Sequence, residues 1–438
     1  MRERVRIDLR RNGFHGTIPE EIGRLFRLKL LQLTNNTLTG EIPATLANYS
    51  ELKGIAFYGN QLIGKVPDEL GFLPKLLGLS LTENSLSGRI PPSLGNLSNL
   101  IIFILAANNL EGSIPGELSK LVSLDIFGIG SNKLSGKIPP VLYNLSSIST
   151  FDVGFNNFHG NLPPNLGLTL PNLEGVYAEG NQFTGPIPVS LSNASGLLLI
   201  KLGNNSFSGS VPMNFGRLKG LSRLYLGGNR LGIGKSQDSS FLHSLTNCSS
   251  LRVLQLGINN LSGALPDSMA NLSTQLRWLT LGNNRIFGSI PSGHSKPFRP
   301  HNIEYGVEHF NGYHSYQYRE ASKAAIFRLL SGEIPSWVGT FLSLEDLFLD
   351  GNYFQGLIPP SFTALKGLQS LDLSRNLSGK IPQYLENLYA LQYLNLSYNH
   401  FDDELPKKGF FGNASGVSVV GNSNLCGGYS RIAIASVL

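Results

Sequence analysis

The segment Gly232–Ser236, GIGKS, ends like a loop that wraps a phosphate in backbone amides. That chemistry needs another glycine five residues before Gly234, where Asn229 stands, with Gly228 off by one. No strand–loop–helix setting surrounds it, so the segment reads as a longer surface loop. Four histidines, His294, His301, His309 and His314, crowd one stretch. A zinc site needs tighter pairs or cysteine partners, so they read as coincidental. No H-E-x-x-H, no G-x-S-x-G and no kinase signature occurs. Cys248 and Cys426 allow one disulfide by arithmetic, but the spacing below puts them too many turns apart, and Cys248 reads as a small buried thiol. The expectation is a chain with no catalytic residue, no metal and no small-molecule cofactor, in which kinase activity cannot reside.

Asparagine is the residue whose spacing carries chemistry. It recurs at Asn12, Asn36, Asn60, Asn84, Asn108, Asn132 and Asn156, a fixed spacing of 24. It continues at Asn181, Asn205, Asn229, Asn259, Asn284, Asn352, Asn376 and Asn399. Around it runs the template L-x-x-L-x-L-x-x-N-x-L-x-G-x-I-P-x-x-L-x-x-L-x-x, as in LLGLSLTENSLSGRIPPSLGNLSN from Leu76. The amide side chain carries two donors and an acceptor. A buried asparagine can therefore satisfy its own turn and the next repeat's turn. We assign Asn36, Asn60, Asn84, Asn108, Asn132, Asn156 and Asn205 to such a structural ladder. Removing one should leave buried amides unpaired at a cost of roughly 1–3 kcal/mol.

The template also says what holds these asparagines. In L-x-L the leucines alternate onto one face of a short strand, leaving the other face open. Strands of successive repeats should pair into one long parallel sheet. In G-x-I-P the glycine permits a tight backbone, isoleucine fills the core and proline ends strand pairing. The P-x-x-L-x-x-L stretch supplies a short helix or 3-10 turn on the far side. Self-similarity at this period specifies a solenoid, each repeat burying its apolar face against its neighbours. The array covers 1–292, an irregular segment 293–329 interrupts it, repeats resume over 330–406, and 407–438 is a cap remnant and tail.

The open face takes the positions six, four and two before each ladder asparagine. Neighbouring strands lie about 4.8 Å apart, so Tyr177, Lys201, Tyr225 and Gln255 should form one row. Leu199, Arg223, Val253 and Trp278 should form the next, with Glu179 beside Tyr177. Exposed aromatics with arginine are hot-spot chemistry. Gly203, Gly227, Gly257 and Gly282 should leave room for a peptide backbone. Tyr177, Glu179, Lys201, Arg223, Tyr225, Gln255 and Trp278 are therefore the candidate ligand-binding residues. N-x-S/T sequons nominate Asn48, Asn96, Asn144, Asn193, Asn271 and Asn395 for glycans. The net charge is only +6, with no lysine or arginine block, so no nucleic-acid partner is expected.

The L-x-G-x-I-P half resembles the plant extracellular leucine-rich repeat over nearly the whole chain. FLHSLTNCSSL (Phe241–Leu251), LQYLNLSYNHFDDELP (Leu391–Pro406) and GFFGNASGVSVVGNSNLCGG (Gly409–Gly428) resemble the ectodomain end of plant receptor-like serine/threonine kinases. Among these the likeness is to the immune subfamily that includes bacterial-pattern and blight-resistance receptors. The resemblance implies an α/β repeat fold: a right-handed leucine-rich-repeat solenoid with a concave parallel β-sheet and a convex side of short helices, 3-10 turns and loops. It implies a module that binds a peptide or protein ligand, recruits a leucine-rich-repeat co-receptor kinase and sits outside the plasma membrane. Several features depart from the family. The amino-terminal capping cysteines are missing, one residue is lost between Asn376 and Leu377, Asp403 replaces the usual glycine, and Cys426 lacks its usual partner. No signal peptide opens the sequence, and no run reaches the roughly 20 apolar residues of a membrane span. These departures fit an alternative reading, a non-functional truncated gene product, and a chain that behaves poorly in isolation. A stand-alone inhibitor of a pathogen's wall-degrading enzyme shares the repeat, but such inhibitors are shorter.

Overall fold

The structure, a computed structural model, describes residues 5–25, 27–289, 330–350, 353–375, 377–412 and 416–426. The irregular segment 293–329 with its four histidines, and Asn352 and Asn376, lie outside them. The chain divides into two compact units, Met1–Ser208 and Gly209–Leu438.

In the first unit short parallel strands follow one another from Val5–Asp8 to Leu199–Lys201. Gly78, Leu79 and Ser80 face Ile102, Phe103 and Ile104, which face Ile126, Phe127 and Gly128. Pairing thus keeps the sequence period. Thr150 pairs instead with Gly175, one residue later, where the α-helix Leu166–Thr169 replaces the usual 3-10 turn. From Leu31 onward the inward residue of each strand is buried, and three of them are phenylalanines that stack: Phe103 on Phe127 at 5.7 Å and Phe127 on Phe151 at 5.4 Å between centroids.

The far side carries 3-10 turns such as Ala44–Asn48, Asp68–Phe72 and Pro92–Asn96. The template proline precedes each turn in an extended conformation, as at Pro43, Pro67 and Pro91. Its carbonyl accepts the N–H of the following template leucine, Pro43 from Leu46 at 3.2 Å. Proline therefore starts the turn as well as ending the strand.

A second sheet, which the template does not announce, follows the ladder asparagine. Its strands include Asn109–Gly112, Lys133–Gly136, Asn157–Asn161 and Gln182–Gly185, again parallel. The x-L-x-G tetrapeptide is thus a short strand. Its glycine has positive φ, as at Gly112 (80°) and Gly136 (88°), the left-handed region that glycine enters without a steric penalty. Asp403 takes the same conformation at 74° and pairs with Lys380 at 2.5 Å.

In the second unit the parallel strands include Arg223–Tyr225, Val253–Gln255, Trp278–Thr280, Asp346–Phe348, Ser370–Asp372 and Tyr393–Asn395. Trp278 pairs directly with Asp346, so the sheet closes across the irregular segment. Ser370 pairs with Tyr393, a register one residue short of the period, which absorbs the residue lost before Leu377.

Each ladder asparagine reaches backward. Asn84 accepts the Leu62 N–H at 3.0 Å and donates to the Phe57 and Leu81 carbonyls, each at 3.0 Å. Phe57 and Leu62 belong to the preceding repeat, so the partner is the previous turn and not the next one. The reason is the climb of the chain, which sets each asparagine against the turn already laid down. Asn36, Asn60, Asn108, Asn132, Asn156 and Asn205 repeat the pattern, accepting from Phe14, Leu38, Leu86, Leu110, Leu134 and Phe183. Asn422 extends it into the carboxy-terminal segment, accepting from Phe401 and donating to the Leu396 carbonyl. Among the described residues the one before the asparagine is left-handed, including Glu83 (51°), Ala107 (54°), Phe155 (50°) and Ile258 (58°).

Candidate functional site: the open face of the sheet

The segments that resembled catalytic chemistry are already occupied. In the loop Gly232–Ser236 the Ile233 and Gly234 N–H groups donate to the Asp238 carboxylate at 3.0 and 2.9 Å. Amides a phosphate would need are held by the chain's own carboxylate. Cys248 is buried and donates its thiol to the Phe215 carbonyl at 3.5 Å. Burial pushes that thiol up to about 11, with Lys219 opposing, so little reactive thiolate forms at neutral pH. Cys248 and Cys426 are both free thiols. Among the described residues no group of three or more His, Cys, Asp and Glu side chains is placed to hold a metal ion.

What remains is the outward face of the strands. In the first unit Tyr177 and Lys201 are register partners. The Lys201 ammonium lies 3.2 Å from the Glu179 carboxylate and 5.6 Å from the centre of the Tyr177 ring. Glu179 is buried, so the ammonium serves a desolvated charge. Asp152 stands one strand back, opposite Tyr177, and accepts the Gly154 N–H at 3.0 Å. Burial pushes Asp152 up to about 6; the Gly154 N–H opposes this, Glu179 adds to it and Lys201 offsets it.

Asp152 holds its proton more tightly folded than unfolded, so its ionisation costs stability as pH rises from about 4 to about 6, and the loss persists above. We predict that Asp152→Asn, which stays neutral, raises the unfolding free energy by about 1–2 kcal/mol at pH 7 and changes nothing near pH 3.5. This is less than the full shift implies, because the carboxylate keeps partial contact with solvent. Urea unfolding at the two pH values checks it, and a gain of equal size at both would refute it.

In the second unit the register makes two rows. Tyr225, Gln255, Thr280 and Phe348 form one; Arg223, Val253, Trp278 and Asp346 form the other. Arg223, Tyr225 and Trp278 are half-buried, whereas Gln255 is only 5% exposed. The flanking glycines do not simply leave an empty floor. A Cβ at Gly227 would lie 3.0 Å from the Gly257 carbonyl oxygen and 3.4 Å from the Gln255 Cγ, and one at Gly257 would lie 3.2 Å from the Gly282 carbonyl oxygen and 3.5 Å from the Thr280 hydroxyl. In the first unit a Cβ at Gly130 would meet the Asp152 carboxylate at 2.6 Å. Glycine admits the backbone carbonyl of the next repeat at Gly227 and Gly257, and the Asp152 side chain at Gly130.

Asn48, Asn96, Asn144, Asn193 and Asn271 each end a 3-10 turn and are exposed, away from the open face. Asn395 differs: it faces the sheet's open side and donates to Asp372 at 2.9 Å.

Two family models now meet this geometry. One described as Leucine rich repeat matches residues 343–401, and another, Leucine Rich Repeat, matches 27–49 and 75–97. The chain has the leucine-rich-repeat fold. This leucine-rich-repeat chain is 51% identical over 76 residues to Receptor kinase-like protein Xa21 of Oryza sativa subsp. japonica, a stretch covering 17% of this chain and 7% of that protein. It superposes on the plant peptide hormone receptor RGFR1, solved in complex with RGF2, with a TM-score of 0.59 and 28% identity, covering 90% of this chain and 66% of that one. Against the Arabidopsis receptor kinase HAESA, solved with the peptide hormone IDA and the co-receptor SERK1, the TM-score is 0.57 at 27% identity, covering 97% and 83%. The repeats are thus similar to those of plant receptor kinases, and the fold to that of plant receptor ectodomains. Among the described residues no helix is long and apolar enough to cross a membrane.

Proposed function

We propose that this chain is a peptide- or protein-recognition module of a plant receptor-like kinase or receptor-like protein, acting at the cell surface in innate immune signalling. The observation that carries it is the second unit's open face, where Arg223, Tyr225 and Trp278 stand half-exposed in register around Gln255. Aromatic and arginine anchors on a rigid sheet are what peptide hot spots are made of. The first unit adds Tyr177, Glu179 and Lys201 on its own open face. Solved neighbours that carry peptide hormones, one of them with a co-receptor, support a peptide ligand and a leucine-rich-repeat co-receptor kinase. Glycans at the exposed 3-10 asparagines Asn48, Asn96, Asn144, Asn193 and Asn271 leave the sheet face clear.

The test is selection of random displayed peptides on the purified chain, followed by affinity measurement. Tyr225→Ala with Trp278→Ala is expected to weaken the selected peptides at least about tenfold. Unchanged affinity in that double variant would refute the assignment.

A further inference from the structure

Six buried side-chain polar atoms among the described residues lack a hydrogen-bond partner, and three of them sit together: Gln255 Oε1, Trp278 Nε1 and Thr280 Oγ1. Gln255 and Thr280 are register partners, and Trp278 is two residues before Thr280 on the same outward face. Buried polar groups are paired almost without exception, so such a cluster asks for a reason. Packing alone does not supply one. The Gln255 side chain rests against Gly227 and the Thr280 hydroxyl against Gly257, where neither finds a partner. Leucine or valine would fill the same space without the unpaired oxygen.

The chemistry of the three atoms is complementary to one kind of ligand. Indole N–H only donates, the glutamine carbonyl only accepts, and the threonine hydroxyl does either. A peptide main chain offers N–H and C=O in alternation, and it must satisfy both when it leaves water. The two strands lie about 4.8 Å apart and an extended chain advances about 3.3 Å per residue, so a dipeptide spans the trio. Tyr225 and Phe348 bracket the trio along one row, and Arg223 and Asp346 along the other. These supply apolar and charged contacts for the peptide's side chains.

We propose that Gln255, Trp278 and Thr280 form a main-chain recognition subsite, which pairs with the backbone of an extended peptide laid across strands Val253–Gln255 and Trp278–Thr280. It rests on the peptide-recognition reading above and names the part of the ligand recognised there. The terminal torsion of glutamine is soft, so its carbonyl turns toward an arriving chain at small cost, and the threonine hydroxyl hydrogen rotates to suit its partner. The unliganded protein carries the unpaired groups, and the peptide supplies their partners.

The test uses the full chain and a peptide selected on it from a random displayed library. Gln255→Met, Trp278→Phe and Thr280→Val are combined to remove hydrogen-bonding capacity while keeping bulk. The triple variant is expected to melt no lower than wild type and to bind the selected peptide at least about tenfold more weakly. Peptides N-methylated at successive residues should lose the same factor on wild type at one or two positions, and nothing further on the variant. Gln255→Met alone serves if the triple variant does not fold. Equal affinity of wild type and of the folded variant overturns the subsite. Peptide recognition itself then still stands if Tyr225→Ala abolishes binding. A wild-type chain that enriches no peptide overturns both.

Discussion

Asn108→Ala is expected to lower the unfolding free energy by about 3–5 kcal/mol. The side chain accepts the Leu86 N–H at 3.0 Å and donates to the Leu81, Leu105 and Ala106 carbonyls at 3.0, 3.1 and 3.2 Å. Asn108 is 9% exposed, so water cannot replace it without opening the turn. Alanine leaves one amide and at least one carbonyl buried without partners, and each costs about 1–3 kcal/mol. The lost bonds join two repeats, so the damage crosses the interface that makes the array cooperative. Urea unfolding with hydrogen exchange checks it. Exchange should quicken first around Leu81–Leu86 and Leu105, while Asn109→Ala, at the exposed neighbour, should shift stability by less than about 0.5 kcal/mol. An Asn108→Ala loss no larger than that of the control would show that the ladder is ornamental.

Phe127→Ala should cost a similar amount, about 3–5 kcal/mol. Phe127 is 1% exposed and stacks on Phe103 at an interplanar angle of 8° and on Phe151 at 24°. Truncation opens a cavity in mid-stack and strips both neighbours of a ring contact. Phe127→Leu restores the template residue and should cost about 1 kcal/mol or less, because volume is largely kept. A loss for leucine as large as for alanine would mean that ring stacking, rather than filled volume, sets the core's stability there.

The repeat, its inward leucines and the asparagine register are legible in the sequence because each depends on one residue type at one spacing. What escaped depends on geometry that many residue types can satisfy. The left-handed residue before the asparagine is glycine or asparagine in some repeats, as at Gly59 and Asn204, but Glu83, Ala107, Phe155 or Ile258 in others, so residue type alone does not mark it. The second sheet hides because its strands are as short as Ser87–Gly88 and read as turn. Asn422 hides because the repeat pattern dissolves around it, although its hydrogen bonds are those of the ladder. At the site, alternation identifies which residues face out, and the observed pairings within each unit follow it. It cannot show that Gln255 folds down onto Gly227, nor that Asp152 fills the space beside Gly130. Both arise from side chains leaning one repeat back, a consequence of the climb that also turns the asparagines backward.

The most direct test of the central claim, recognition through the open face, is hydroxyl-radical footprinting of the chain with and without a peptide selected on it. Trp278 and Tyr225 are half-exposed on the open face, while Phe72 and Tyr389, 65% and 82% exposed, lie on the 3-10 side. Bound peptide is expected to protect Trp278 and Tyr225 and to leave Phe72 and Tyr389 labelled as before. Protection of Phe72 or Tyr389 with the open-face aromatics unchanged would contradict it.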